Sequence, residues 1–175
     1  MKKIFTLLVG LMMLANVAFG MTGYVDVQSV NGVYAGMLPE EVVAKWGQPL
    51  QKDYNTYYFN PGGLSGRFFA GKDNQTYLIE IVAKNPQLVL QPSGLSVGMS
   101  AAEVFRRLGQ PDRKQYLGYD YSKNTAVYCY EYVTPEYTNS AGRKGIEEIS
   151  FYVDENANRI TKIELQADFY AYRQK

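Results

Sequence analysis

Two stretches of the chain repeat one arrangement of apolar and polar positions. In GMLPEEVVAKWGQP (36–49) and GMSAAEVFRRLGQP (98–111), apolar side chains fall at Val42, Val43 and Trp46 and at Val104, Phe105 and Leu108. That spacing lays one apolar stripe along a helix of about two turns. Ser100 with Glu103 three positions on has the form of a capping box, whereas Pro39 suits the first helical position and Glu40 and Glu41 favour the positive end of the helix dipole. Gly47 and Gly109 suit the left-handed stop position, and Pro49 and Pro111 keep each helix from resuming. Helices this short are unstable alone and must dock on other structure.

The segments that follow alternate with the two-residue period of strands. RKQYLGYDY, TAVYCYEYV, GIEEISFYV and ITKIELQA predict a four-strand meander after Pro111. After Pro49, LQKDYNTYYF, GRFFAG and TYLIEIVA predict three strands, with turns at Asn60-Pro61-Gly62-Gly63 and Gly71-Lys72-Asp73-Asn74, and a fourth strand is possible around Leu88–Leu90. Residues 24–33 fit a short helix or a strand equally well. The copies sit 62 positions apart, Gly98 against Gly36, which implies a duplicated unit. The expectation is therefore an α+β fold of two tandem repeats, at 21–85 and 94–170. Each is a short helix packed on an antiparallel meander of about four strands, and together they form one concave sheet. Residues 86–93, with Pro86 and Pro92, read as a linker, and 171–175 as a tail.

The first twenty residues change the compartment. Two lysines precede an apolar run that ends Ala18-Phe19-Gly20, the pattern of a cleavable export signal over 1–20. Met21 stands where lipoprotein processing needs cysteine, so neither a lipid anchor nor a transmembrane segment is expected in the mature chain. The expected location is periplasmic or secreted. Loss of Lys2 and Lys3 leaves 16 basic against 17 acidic residues, without the basic surface that nucleic acid requires. There is no histidine, which excludes Ser-His-Asp and Cys-His nucleophile arrangements and the usual zinc sites. Cys129 is the only cysteine, so no internal disulfide forms, and a buried, inert thiol is expected. Neighbouring Glu147 and Glu148 fall on opposite faces of a strand and cannot act as a catalytic pair. Asp154-Glu-Asn-Ala-Asn-Arg starts like a calcium loop but has Arg159 at the glycine position and Leu165 at the glutamate position, and it reads as a hairpin turn. No enzyme, cofactor or metal is expected.

The Gly-Met start, capped two-turn helix, Gly-x-Pro stop and following meander resemble the SmpA/OmlA (BamE) domain, a family of small envelope proteins that help assemble outer-membrane proteins. Two such units in tandem behind an export signal resemble the β-lactamase inhibitor proteins (BLIP-like), in which a concave sheet grips an enzyme. The resemblance implies a non-enzymatic protein-binding module whose partner is an envelope protein or a secreted enzyme such as a β-lactamase. The family departures are the absence of a lipidated cysteine and of a disulfide in each repeat.

The chain contains 16 tyrosines, three of them alternating in TAVYCYEYV. Tyr128, Tyr130 and Tyr132 share one face of that strand and, with Tyr152, are assigned to the open face as partner-binding residues. The other meaning of the row is ordinary cross-strand packing of a residue that favours strands. Glu131 fits the outward assignment poorly, since it would then point toward the helices. Asp53 and Tyr54, within Lys52-Asp53-Tyr54-Asn55, form either a plain hairpin or, by analogy with the inhibitor's first-repeat loop, a tip that enters a partner's cleft.

Overall fold

The chain folds around two short helices, α1 (Pro39–Trp46) and α2 (Ala101–Leu108), whose ends are built as differently as their sequences are. At α2 the Ser100 hydroxyl accepts the Glu103 N–H at 3.3 Å, while the Glu103 carboxylate turns to Arg106 and Arg107. At α1 Leu38 has no capping atom, and the Glu41 carboxylate accepts the Leu38 N–H at 2.8 Å instead. Both helices stop on a glycine at positive φ, Gly47 at +80° and Gly109 at +82°, whose N–H closes on the carbonyl four residues back.

The computed structural model describes residues 25–71, 74–139 and 142–169. The export signal expected at 1–20, the tail at 171–175 and the centre of the Gly71–Asn74 turn lie outside the described residues. The strands are β1 (Ser29–Val30), β2 (Gln51–Asp53), β3 (Thr56–Phe59), β4 (Leu64–Ala70), β5 (Thr76–Ala83), β6 (Leu90–Gln91), β7 (Arg113–Asp120), β8 (Thr125–Val133), β9 (Tyr137–Thr138), β10 (Lys144–Asp154) and β11 (Arg159–Phe169). Nine of them form one antiparallel sheet in the order β2-β3-β4-β5-β11-β10-β8-β7, with β9 added against β10.

This corrects the expected α+β class of two tandem helix-plus-sheet repeats. Of the described residues, 50% are strand and 11% helix, so the fold is mostly β, built on a nine-stranded antiparallel sheet and not on a helix-plus-sheet unit used twice. The physical reason lies in what the repeated signature encodes. It specifies where two eight-residue helices begin and end, but not which strands pair. Strand pairing is set by side-chain pattern across distant segments, and here β5 pairs with the C-terminal strand β11, Ile81 opposite Leu165 and Ala83 opposite Ile163. One sheet edge that two separate units would each have to protect is thereby removed.

Both helices lie on one face. Val42, Trp46, Ala101 and Val104 are buried against Leu64, Phe68, Ile81, Ile149, Phe151 and Leu165 in one core. Trp46 packs edge-on to Phe59 at 5.0 Å and donates its indole N–H to the Val30 carbonyl at 2.9 Å. The ambiguous stretch near residue 30 is a strand, since β1 pairs with β6, Val30 opposite Leu90. Residues 86–93 therefore do more than connect, because Leu88 and Leu90 are fully buried. The stretch read as LQKDYNTYYF is two strands joined at Tyr54-Asn55, with Asp53 opposite Thr56. Asp154 begins the β10–β11 turn and accepts from Thr125 Oγ1 and the Ala157 N–H, as a hairpin residue does.

Candidate functional site

Residues directly opposite in an antiparallel pair share a face. Tyr128, Tyr130 and Tyr132 stand opposite Val153, Phe151 and Ile149, which are core residues, so the tyrosine row lies on the helix-covered face. Tyr130 is 8% exposed and stacks edge-on against Phe105 of α2 at 5.0 Å. Tyr132 is 1% exposed, packs against Phe151, and donates its hydroxyl to the Gly109 carbonyl at 3.1 Å. Tyr128 is half-buried against the same core, with Lys114 Nζ 4.2 Å from its ring centre. The assignment of these three to the open face is corrected: they are helix-docking residues. A tyrosine ring is nearly all apolar surface, and the one polar atom of Tyr132 finds a carbonyl at the helix end, so burial here carries little penalty.

Tyr152 does lie on the open face, opposite Cys129. Its hydroxyl donates to Glu164 at 3.1 Å, and Lys162 stands over its ring at 3.5 Å while pairing with Glu164 at 2.9 Å. Asp53 and Tyr54 lie apart from this centre, at the β2–β3 hairpin. Tyr54 is 98% exposed and its φ is +47°, a conformation that costs a bulky residue about 1–2 kcal/mol.

The centre of the open face is charged. Around Ser150 stand Glu148 and Tyr152 along β10, Glu131 opposite on β8 and Glu164 opposite on β11. Glu131 pairs with Arg113, Glu164 with Lys162, and Glu80 with Arg67. The Glu148 carboxylate makes no hydrogen bond and no ion pair among the described residues. Partial burial raises its pKa, Glu131 adds to the effect, Arg113 opposes it and Glu164 adds again. Across these rows Glu131, Glu164 and Glu80 are each matched by a cation, and Glu148 adds a carboxylate with no ion pair among the described residues.

Beside Glu148 the sheet opens. β5 and β11 pair only as far as Glu80 and Gln166. Beyond that point Leu78 exchanges backbone bonds with Gly36 and Met37 instead. The gap is a concavity of about 440 Å³, rimmed by Phe69, Ile79 and Ile146 and by the polar groups of Glu148, Gln166 and Asp168. Ala167, which packs on the helix side, also contributes to the lining, so the opening runs between the strands.

Cys129 is 2% exposed, and burial pushes its thiol up to about 11, with Glu131 and Glu164 adding to the effect, so it is a protonated packing group at neutral pH. Glu147 points the other way from Glu148, fully buried on the helix side. Among the described residues no group of three His, Cys, Asp or Glu side chains is placed to hold a metal ion, and no helix is long and apolar enough to cross a membrane.

Sequence reasoning missed Glu148, Phe69, Ile79 and Ile146. The available signal was the poor fit of Glu131: turning it outward, to meet Arg113, turns the three tyrosines inward. No protein-family model matches the chain, and no curated protein or solved structure is detectably similar to it.

Proposed function

We propose that this is a non-enzymatic, exported protein-binding module that engages a partner on the open face of its sheet. The observation that carries the reading is the concavity beside Glu148, where apolar side chains and an unpaired carboxylate share a surface that neither helix covers. Holding an unpaired carboxylate partly out of water costs free energy, and a cationic group from a partner would recover it. The partner class follows from the resemblance to SmpA/OmlA and β-lactamase inhibitor proteins: an envelope protein or a secreted enzyme. The binding surface comprises Tyr152 and the charged rows around it, in place of the buried tyrosine row.

The test is affinity capture from the native envelope and periplasm with the wild type, a Tyr152→Ala, Val82→Arg variant, and a Lys45→Glu control on α1. The open-face variant is expected to lose partners that the control keeps, with unchanged circular dichroism. Recovery of the same partners by all three refutes the proposed face.

A narrower reading, inhibition of a β-lactamase, is favoured by the β2–β3 hairpin, where strain is spent on presenting Tyr54 to solvent beside Asp53. Inhibition assays against a panel of β-lactamases test it. No inhibition at micromolar protein removes this reading for those enzymes while leaving open-face binding intact.

A further inference from the structure

We propose that β7 is the seam of a homodimer, in which it pairs antiparallel with β7 of a second copy of this chain. β7 is the long outermost strand of the sheet. It has eight residues against the three of β2 at the other end, and among the described residues its only strand neighbour is β8. The outward N–H and C=O groups of such an edge are a template for another chain. Four exposed large apolar side chains, Tyr116, Leu117, Tyr119 and Tyr121, fall within six residues of this edge. Single exposed apolar residues are ordinary, whereas a cluster marks an interaction surface. The usual guard of an edge, a lysine, is turned aside here: Lys114 lies over the Tyr128 and Tyr130 rings, 4.2 and 5.5 Å from their centres.

The order of charge along the strand identifies a second copy as the occupant. β7 begins Arg113-Lys114 and ends at Asp120, so antiparallel self-pairing sets the basic end of each strand against the acidic end of the other. The register follows from the irregularity against β8: Tyr116 stands opposite Tyr128 and Gly118 opposite Val127, which leaves Leu117 as the extra residue. Three residues of β7 lie on either side of Tyr116-Leu117. Full overlap about a two-fold axis at that point, perpendicular to the sheet, puts Arg113, Lys114 and Gln115 opposite Asp120, Tyr119 and Gly118 of the second copy. The faces agree as well. Arg113 and Asp120 stand opposite Glu131 and Thr125 of β8, both on the open face, while Lys114 and Tyr119 stand opposite Tyr130 and Ala126, both on the helix side. Each opposed pair therefore meets side chain to side chain, as two ion pairs on one face and two cation–ring contacts on the other. Arg113 is two-thirds exposed, and its five N–H donors let it keep Glu131 while reaching Asp120 of the second copy. A strand from another protein would match this charge order by coincidence, whereas a second copy matches it by symmetry. The axis keeps both open faces on one side, so the dimer presents two of them side by side.

The test is the oligomeric state of the full mature protein, followed by sedimentation velocity from about 1 μM to about 1 mM. A ladder of this length makes a small interface, under about 1,200 Å² in total, and a dissociation constant on the order of 10 μM is expected. Arg113→Asp and Asp120→Arg each turn the two ion pairs of the dimer into repulsions, and each is expected to weaken association at least about tenfold. An equimolar mixture of these two variants, and the doubly substituted chain, restore opposite charges at both positions and are expected to recover wild-type association. Recovery in the mixture cannot come from chains that fail to fold. Leu117→Lys, at an exposed side chain on the axis, brings two like charges together and is expected to abolish association while leaving the ion pairs within each chain intact. A wild type that stays monomeric throughout, or undiminished association in Leu117→Lys or in both charge variants, overturns the seam. Weakening without recovery in variants of unchanged circular dichroism overturns the two-fold register. Open-face binding is read separately, by capture of partners, and stands or falls on its own result.

Discussion

Glu147 allows a prediction that separates burial from every other electrostatic effect in the chain. Its side chain is fully buried beneath the segment that precedes α1; one oxygen accepts the Gln28 N–H at 2.8 Å, and the other has no hydrogen-bond partner. Burial pushes the carboxyl from 4.5 up to about 8, against the smaller effect of the N–H groups of Gln28 and Ala35. The folded pKa exceeds the unfolded one, so folding holds a proton that the unfolded chain releases. The associated stability is complete below about pH 4.5 and is lost as pH rises through about 8. Across that interval the loss is on the order of 4–5 kcal/mol, and about 3 kcal/mol of it has occurred by pH 7. Glu147→Gln keeps the acceptor for Gln28 and removes the titration. Urea unfolding at pH 4.5, 6, 7 and 8 is expected to show near-equal stability of the two proteins at the lowest pH. The variant should be more stable by about 3 kcal/mol at pH 7. The chain has no histidine, so few other side chains titrate in this window. Glu148 adds a slope of the same sign, but it does so in both proteins. A wild-type stability that stays flat from pH 5 to 8, or a variant less stable at pH 7, refutes the reasoning.

Three further outcomes follow from particular packing contacts. Gly36→Ala places a methyl group against the Phe169 ring at a φ of +102°, and a loss of about 2–4 kcal/mol is expected in thermal or urea unfolding. Tyr54→Gly relieves the positive φ of a side chain that packs on nothing, so stability is expected to rise by about 1 kcal/mol; if the hairpin meets the partner, captured partners fall at the same time. Cys129 is expected to resist a thiol reagent at pH 8 in the native protein and to react promptly in denaturant, as followed by mass spectrometry, and rapid native labelling would contradict its burial.

The helices were legible because their information is local. Cap, stripe and stop lie within 36–49 and 98–111, and the observed helices fall inside those limits. Strand positions were largely legible too, through two-residue alternation, except where Tyr54-Asn55 folds one predicted strand into a hairpin. The architecture was not, because the β5–β11 pairing joins Ala83 to Ile163, and periodicity carries no record of a neighbour so distant. The face of β8 was misread because alternation fixes two sets of residues but not which set is covered. Cross-strand register decides that, and it places Tyr130 with Phe151 and Glu131 with Ser150. The concavity was invisible in sequence, since it arises where Leu78 leaves β11 for Gly36 and Met37, a competition among three backbone segments.

The β5–β11 junction also sets the order in which the chain can mature. β5 carries TYLIEIVA, an apolar, strand-favouring run, and the strand that completes its pairing ends only at Phe169. Until β11 has emerged, one long edge of the nascent sheet has no mate. Contacts of this sequence separation form slowly, and an uncovered edge of this composition recruits other chains. A chain travelling by the proposed export route would therefore be safest crossing unfolded and closing its sheet afterwards, with the last strand acting as the clasp.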